Sequence, residues 1–117
     1  GFLTGDMGLY LRMSPREILH FFGSLSGVDS STLSRRADEL ITLLEMRDFA
    51  NTRTDKLSSG MKQKTAIART LVHDPPILIL DEPTATLDVP TARVIEAAIL
   101  EAKARGKCIV YSTHIME

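Results

Sequence analysis

The sequence predicts an α/β domain in which a block of helices precedes part of a parallel sheet. Two short apolar runs, at residues 77–80 (ILIL) and 107–112 (KCIVYS), have the length and continuity of buried strands, and the first suits a strand that is buried on both faces, as in a parallel sheet. A helical pattern separates them, and strand–helix–strand units form crossover connections in parallel sheets. Three more helical patterns come earlier in the chain, where strand-like runs are almost absent. The order of these patterns therefore indicates the fold class.

The first half of the chain is predicted to begin with a strand end and a helix. Residues 1–10 are interrupted by two glycines, which indicates the end of a strand followed by a loop. Ser14 can cap a helix that begins with proline, a residue that suits the first helical position. We expect this helix to continue to about Phe22 and to end at Gly23 and Gly27.

A second helix is predicted from the periodicity of its apolar residues. Ser31 or Thr32 can cap it, and it should run to about Glu45. Its apolar side chains recur at the spacing of one helical face, which should point to the core. These side chains are Leu33, Ala37, Leu40, Ile41 and Leu44. Residues 47–57 have no such periodicity and are predicted to form a connecting loop.

Two more helices flank the first of the two strands. Ser58 or Ser59 can cap the third helix, which should run to about Val72 before an Asp-Pro-Pro sequence stops it. The fourth helix should begin at Pro90 and run to about Arg105, because a glycine at the C′ position follows. This fourth helix is the predicted crossover between the two strands.

Composition and charge restrict the class of protein. The chain has 117 residues, 44% hydrophobic and 25% charged, which is typical of one globular domain. Its net charge of −1 argues against a general affinity for nucleic acid or anionic lipid. Cys108 is the single cysteine, and its apolar surroundings in the sequence predict a buried, unreactive thiol. Neither end of the sequence resembles a domain boundary, so we expect a piece of a longer protein.

Polar side chains follow both predicted strands where each strand ends. Asp81 and Glu82 follow the first strand, and Thr113 and His114 follow the second. The carboxyl ends of parallel strands meet at one edge of the sheet, where ligands bind. A carboxylate there can hold Mg²⁺, a second can orient a water, and an imidazole can bind a phosphate or that water. The alternative is an ordinary solvated strand terminus.

Residues 57–64 (LSSGMKQK) place two hydroxyls, a glycine and two lysines at the start of the third helix. Free backbone N–H groups and the helix dipole make such a start a potential anion site. The glycine allows a ligand to approach the backbone closely. The alternative is a simple helix cap.

Taken in order along the chain, these segments resemble the motifs of one family, the ATP-binding cassette (ABC) ATPases. Residues 57–61 (LSSGM) resemble the family's signature, LSGGQ. Residues 77–82 (ILILDE) resemble the Walker B strand with its catalytic glutamate, and residues 85–88 (ATLD) resemble the D-loop. His114 resembles the H-loop switch. The resemblance covers nearly the whole chain and is strongest to bacterial ABC-2 exporters of the sodium-export (NatA-like) type.

The resemblance implies a partial P-loop NTPase (ABC ATPase) fold: a helical subdomain plus parallel-sheet strands with a crossover helix. Residues 1–10 correspond to a Q-loop-like segment, and residues 11–73 to the helical subdomain with the signature motif. Residues 74–117 correspond to a partial RecA-like α/β core with Walker B, D-loop and H-loop.

The resemblance also implies ATP and Mg²⁺ as ligands, and it suggests roles for the site residues. Asp81 would hold Mg²⁺, Glu82 would polarise the attacking water, and His114 would contact the γ-phosphate. Asp88 would lie at a dimer interface. There the signature of one subunit closes over the ATP of a second ABC ATPase subunit arranged head to tail. The signature residues that would contact this ATP are Ser58, Ser59, Gly60 and Met61.

The sequence also departs from the family pattern. Ser59 and Met61 stand where the family has glycine and glutamine. Gly5 occupies the place of the Q-loop glutamine, so the adjacent Asp6 is a candidate substitute ligand for Mg²⁺. No G-x-x-x-x-G-K-[ST] phosphate loop occurs in the 117 residues. We therefore expect the isolated chain to bind ATP poorly, and ATP hydrolysis to ADP and phosphate to belong to the full-length protein.

The other partner implied by the resemblance is a transmembrane permease subunit. Residues 6–22, including Tyr10 and Phe21, are candidates to line the groove that binds it; the alternative is that Phe21 and Phe22 are core aromatics. The implied location is cytoplasmic, at the inner face of the cell membrane, where the permease would hold the protein. No nucleic-acid partner is implied. The implied function is the ATP-hydrolysing subunit of an exporter. A soluble ABC ATPase without a transport role and a non-catalytic fragment are the alternatives.

Overall fold

The computed structural model describes residues 2–3, 11–81 and 87–112, with side chains for residues 11–80 and 87–110. Three of the predicted site residues, Asp6, Glu82 and His114, lie outside the described residues, as does the side chain of Asp81. The described elements are β1 (Phe2–Leu3), α1 (Pro15–Leu25), α2 (Ser30–Leu43), a 3₁₀ turn (Thr54–Lys56), α3 (Ser59–Leu71), β2 (Ile77–Asp81), α4 (Val89–Ala104) and β3 (Cys108–Ser112).

The three described strands form one parallel sheet in the order β1-β2-β3. Phe2 pairs with Ile79 on one side of β2, and Ile79 pairs with Val110 on the other side. This arrangement confirms the predicted strand end at the start of the chain and the parallel pairing of the two apolar runs. The helix α4 connects β2 to β3, so the predicted crossover is confirmed.

The first helix runs further than its glycines predict. Ser14 and Glu17 form a reciprocal capping box, which confirms the predicted start. Gly23 does not end α1 but is buried within it, against Leu33 of α2, where a Cβ would have no room. The chain leaves the helix at Gly27, whose φ of +84° favours glycine.

The cap of the second helix lies two or three residues earlier than predicted. Its cap is Asp29, whose carboxylate accepts a hydrogen bond from the Thr32 N–H at 3.0 Å. Ser31 is a residue of the first turn and not a cap, because Asp29 already supplies the acceptor. The predicted apolar face is confirmed: four of its five side chains are buried and Leu40 packs against the core.

The predicted loop at residues 47–57 is tied to the start of α1. Thr54 is fully buried, and both its N–H and its hydroxyl donate to the Met13 carbonyl, at 3.0 and 2.6 Å. The Arg16 N–H donates to the Ala50 carbonyl at 3.0 Å. These hydrogen bonds fix the polypeptide that leads into α3, and so they fix where α3 begins.

The sheet is buried on one face among the described residues, whereas the sequence predicted burial on both. Leu78 and Leu80 are each 1% exposed and point to the face that the helices cover. Alternate residues point to the opposite face, where Ile77 and Val110 are 51% and 47% exposed. Cys108 shares this face and is exposed, so the prediction of a buried thiol is wrong.

No helix in the described ranges is long and apolar enough to cross a membrane; the longest, α4, has 16 residues.

Candidate functional site

Ser58 caps α3, as one of the two sequence interpretations predicted. Its backbone is extended, and its hydroxyl oxygen accepts a hydrogen bond from the Met61 N–H at 3.2 Å. Its carbonyl accepts from the Lys62 N–H at 2.9 Å, which closes the first helical turn. The cap therefore uses acceptor positions of Ser58 and leaves its hydroxyl proton able to donate to a ligand.

The start of α3 presents several donors on its surface. The N–H groups of Ser59 and Gly60 occupy the first two helical positions, where no acceptor exists within the helix. Ser58, Ser59 and Met61 are exposed, and Gly60 is half-buried. The first turn contains no acidic residue, so the positive end of the helix dipole is not neutralised from within that turn. This combination suits an anion such as a phosphate group.

Gly60 brings the start of α3 against the start of α4. A Cβ at Gly60 would lie 3.2 Å from the Thr91 methyl carbon and 3.4 Å from the Thr91 hydroxyl oxygen. The first of these distances is tighter than nine in ten real contacts of a Cβ. Glycine at this position therefore lets two helix starts approach each other, a role that the sequence alone did not reveal.

Asp88, the predicted D-loop residue, is the cap of α4. Its Oδ2 accepts a hydrogen bond from the Thr91 N–H at 3.3 Å, and the residue is exposed. Hydrogen bonding from Thr91, by its side chain and then by its backbone, holds the pKa of Asp88 below its usual value, and the Lys64 ammonium adds to this. The pattern Asp-x-Pro at residues 88–90 carries the signal for this cap, because proline marks the first turn.

The described residues of the two predicted motifs lie at neighbouring helix starts. Gly60 lies close enough to Thr91 that a Cβ would crowd it, and the Thr91 N–H donates to Asp88. Lys64 of α3 lies near enough to Asp88 to lower the pKa of its carboxyl. The structure brings together Ser58, Ser59, Gly60, Met61 and Asp88 of the predicted site.

The strands β2 and β3 end level with each other, as the sequence predicted. Asp81 pairs with Ser112, the last residue of each strand. Glu82 and Thr113 follow these two residues in the sequence and lie outside the described residues. The roles of Asp81, Glu82, His114 and Asp6 stay predictions.

Two aromatic residues near the end of α1 occupy different environments. Phe21 is 41% exposed, whereas Phe22 is half-buried and packs against the core. Their rings meet edge to face at 5.5 Å, and the Arg69 guanidinium lies 5.1 Å from the centre of the Phe22 ring. Phe22 fits the core alternative, but Phe21 does not. Leu25, one turn after Phe21, is 69% exposed, so this end of α1 has an apolar surface.

The chain is similar in sequence to ATP-binding proteins of ABC transporters. The sequence model of the family described as "ABC transporter" matches residues 3–85. The chain is 42% identical over 113 residues to the ABC transporter ATP-binding protein NatA of Bacillus subtilis, covering 97% of this chain and 46% of that protein. It is 38% identical over its whole length to the Nod factor export ATP-binding protein I of Rhizobium johnstonii, of which it covers 38%.

Solved structures give the same result. The ATP-binding subunit of an ABC transporter superposes with a TM-score of 0.84 at 28% identity, over 97% of this chain and 48% of that one. A dimeric ATP-binding cassette in a post-hydrolysis state, bound to ADP and Pi, superposes with a TM-score of 0.80 at 30% identity. That match covers 98% of this chain and 52% of the other. The chain thus spans about half the length, or less, of the relatives it matches.

Proposed function

Because this chain belongs to the ABC transporter family of ATP-binding proteins, we propose that it is part of the ATP-hydrolysing subunit of an ABC exporter. The observation that carries the proposal is the close approach of Gly60 to Thr91, which sets the open start of α3 beside the helix that Asp88 caps. Export is supported by relatives named for it, such as the Nod factor export protein and a fluoroquinolones export protein of Mycobacterium tuberculosis, 38% identical over 108 residues.

The donors at the start of α3 serve ATP held by a second copy of the subunit, arranged head to tail. Ser58, Ser59 and Gly60 offer a hydroxyl proton and free N–H groups on an exposed surface, where a phosphate from another molecule can reach them. The 117 residues contain no phosphate loop of their own. The similarity to a dimeric cassette bound to ADP and Pi supports a two-subunit site.

The remaining roles follow the chemistry of each residue type. Bound Mg²⁺ would neutralise phosphate charge, and Asp81 would hold it, with Asp6 as a further candidate ligand. Glu82 would accept a hydrogen bond from the attacking water and orient it, and His114 would donate to the terminal phosphate. Phosphoryl transfer depends mainly on positioning and charge stabilisation, which such a set of donors and carboxylates supplies.

The two departures in the signature are compatible with this role. Ser59 adds a hydroxyl at an exposed position and leaves the helix start intact. Met61 has no side-chain amide, and its N–H is already bonded to Ser58. Its 37% exposed side chain therefore offers an apolar contact to the bound nucleotide or to the second subunit.

The apolar end of α1 is the proposed contact with the permease. Phe21 and Leu25 are one turn apart on the helix and are exposed by 41% and 69%. An exposed apolar strip of this kind suits an apolar helix of a membrane subunit. The protein would then act at the cytoplasmic face of the membrane through this partner.

Replacing Glu82 by glutamine tests the proposed function. The intact protein that contains these residues is assayed with its permease for hydrolysis of Mg-ATP. Glu82→Gln should lower the rate by roughly 100-fold or more, because the carboxylate that orients the water is lost. Glu96→Gln is the matched control, since Glu96 is an exposed residue of α4. If Glu82→Gln hydrolyses ATP like the Glu96→Gln control, the proposed role of Glu82 is wrong.

A further inference from the structure

A short connector, residues 72–76, joins the end of α3 directly to the start of β2. Asp74 stands at its centre with a φ of +52°, in the left-handed region that aspartate tolerates better than most residues. Its N–H donates to the Leu71 carbonyl at 2.9 Å, which turns the chain sharply out of the helix. The connector thus links the helix of the signature to the strand that ends at Asp81.

The Asp74 carboxylate is bonded to two other parts of the fold. Lys107, immediately before β3, places its Nζ 2.5 Å from Oδ1 and also donates to the Asp74 carbonyl at 3.4 Å. Arg36 of α2 lies 3.8 Å from Oδ2 and donates to the Val72 carbonyl at 3.3 Å. One carboxylate therefore joins the helical block, the connector and the sheet.

The surroundings strengthen these ion pairs. The side chains of Lys107 and Arg36 are only 17% and 29% exposed, so solvent screens their charges less than at an open surface. Hydrogen bonding from Lys107, followed by the charges of Lys107 and Arg36, holds the pKa of Asp74 below its usual value. The carboxylate is therefore ionised throughout the physiological range.

These ion pairs border an open part of the fold. A groove of about 830 Å³ runs between α2 and the C-terminal half of α4, and Arg36, Asp74 and Lys107 are among the residues that line it. Side chains do not fill the space between the two helices in this groove. The connector and its ion pairs therefore restrain the two sides where direct packing is lacking.

We propose that Asp74 is a positioning residue, which fixes how the helical block of α2 and α3, with the signature at the start of α3, is oriented relative to β2, β3 and their crossover helix α4. Its carboxylate holds the connector to Arg36 on one side and to Lys107 on the other. The consequence for hydrolysis rests on the proposed function, because it requires the signature and Asp81 to belong to the same reaction. The consequence for geometry does not depend on that function.

The geometric part is tested by a distance measurement in the intact protein. Spin labels are attached to cysteines introduced at Ser34 of α2 and Ala97 of α4, both exposed, after exchange of Cys108 for serine. Asp74→Asn preserves the size and the left-handed backbone but removes the charge. It should broaden the distribution of distances between the labels, whereas Asp48→Asn, at an exposed turn position, should not.

A second variant removes the interaction from its other side. Lys107→Met should broaden the same distribution of distances. Combining it with Asp74→Asn should broaden the distribution little further, because both changes break the same ion pair, between Lys107 and Asp74. An unchanged distribution in both single variants would overturn the proposal. This result is independent of whether the protein hydrolyses ATP.

The catalytic part is tested by steady-state hydrolysis of Mg-ATP. Asp74→Asn should lower kcat by about tenfold with little change in KM for ATP, because a displacement of the order of an ångström misaligns the site without removing a nucleotide contact. A broadened distribution with unchanged kcat would overturn the positioning role in hydrolysis. Failure of the proposed function itself would appear separately, as full activity of Glu82→Gln.

Discussion

The two ends of α3 differ in where their polar groups find partners. At the start, the Ser58 hydroxyl and the first N–H groups lie at an exposed surface, with donors left over after the helix is capped. At the far end, the carbonyls of Val72 and Asp74 and the Asp74 carboxylate all accept from Arg36 or Lys107. A helix end whose polar groups are hydrogen-bonded within the chain stabilises the fold. A helix end with hydrogen-bond donors that lack a partner in the chain is available to bind a ligand.

Ser58→Asp distinguishes the capping role of Ser58 from a role in binding an anion, and it should have the largest effect on ATP hydrolysis. Aspartate caps a helix as well as serine does, and its charge suits the positive end of the helix dipole, so the melting temperature should stay within about 3 °C of the parent's. The carboxylate cannot donate a hydrogen bond and repels a phosphate. Hydrolysis of Mg-ATP by the intact protein should therefore fall by roughly 100-fold, the usual effect of losing one donor to a reacting oxyanion.

The matched control for this change is Asp29→Ser, the reverse exchange at the cap of α2. It should alter neither the melting temperature nor hydrolysis by much, because Asp29 lies at a helix start outside the proposed site. If Ser58→Asp retains parental activity, the start of α3 is only a cap, and the contrast between the two ends of the helix disappears.

Gly60→Ala should have an intermediate effect. The added methyl group would lie 3.2 Å from the Thr91 methyl carbon, so the Thr91 side chain or the start of α4 must shift by a few tenths of an ångström. We expect hydrolysis to fall by about tenfold, since small displacements of positioned groups are costly. Thr91→Ala removes both atoms that come closest, and in the double variant it should restore most of the activity.

This pair of variants distinguishes two reasons for the glycine. If Gly60 is needed for packing against α4, Thr91→Ala rescues Gly60→Ala. If Gly60 is needed only so that a phosphate can approach the backbone, the double variant stays as slow as Gly60→Ala. The second result would contradict the role assigned here to the contact with Thr91.

The smallest expected effect is that of the ion pairs at the far end of α3 on the free energy of unfolding, and this effect should depend on pH. The folded-state pKa of Asp74 lies below its usual value, so the stabilisation is fully present above that usual value and is lost as the pH falls through the lowered one. Because Asp74 is half exposed, the stabilisation should be no more than about 1 kcal/mol.

Thermal unfolding of the parent and of Asp74→Asn, between pH 7 and pH 3, measures this effect. The difference in melting temperature should be largest at neutral pH and should shrink below about pH 4. The difference between the parent and Ser58→Ala should stay constant over the same range, because neither side chain ionises there. A constant difference for Asp74→Asn would show that its charge contributes nothing to stability.

Much of this fold could be predicted from local pattern alone. The parallel pairing of β2 and β3 follows from two apolar runs around a helix, and the cap at Ser58 follows from the residue type and its position. Gly23 shows the limit: a glycine in the sequence indicates a helix end, but here Leu33 of another helix requires it. Contacts between elements distant in sequence decide such positions.

The same contrast between local patterns and long-range contacts holds for the candidate site. The residues that resemble the signature and the D-loop can be predicted from their order along the chain, because each motif is short and local. The contact between Gly60 and Thr91 and the ion pairs of Asp74 cannot be, since each joins parts of the chain some 30 or more residues apart. The exposed thiol of Cys108 also differs from the prediction, because the apolar character of a strand does not specify which of its faces is covered.

Mixing two inactive variants tests most directly whether the start of α3 serves the ATP of another subunit. Intact Ser58→Asp and Glu82→Gln proteins are prepared separately, mixed so that their subunits exchange, and assayed for hydrolysis of Mg-ATP. In a mixed dimer, one site would combine the normal Glu82 of one subunit with the normal Ser58 of the other. We predict activity well above that of either variant alone. If the mixture stays as inactive as its components while mixed dimers are present, the open end of α3 does not act across the subunit interface.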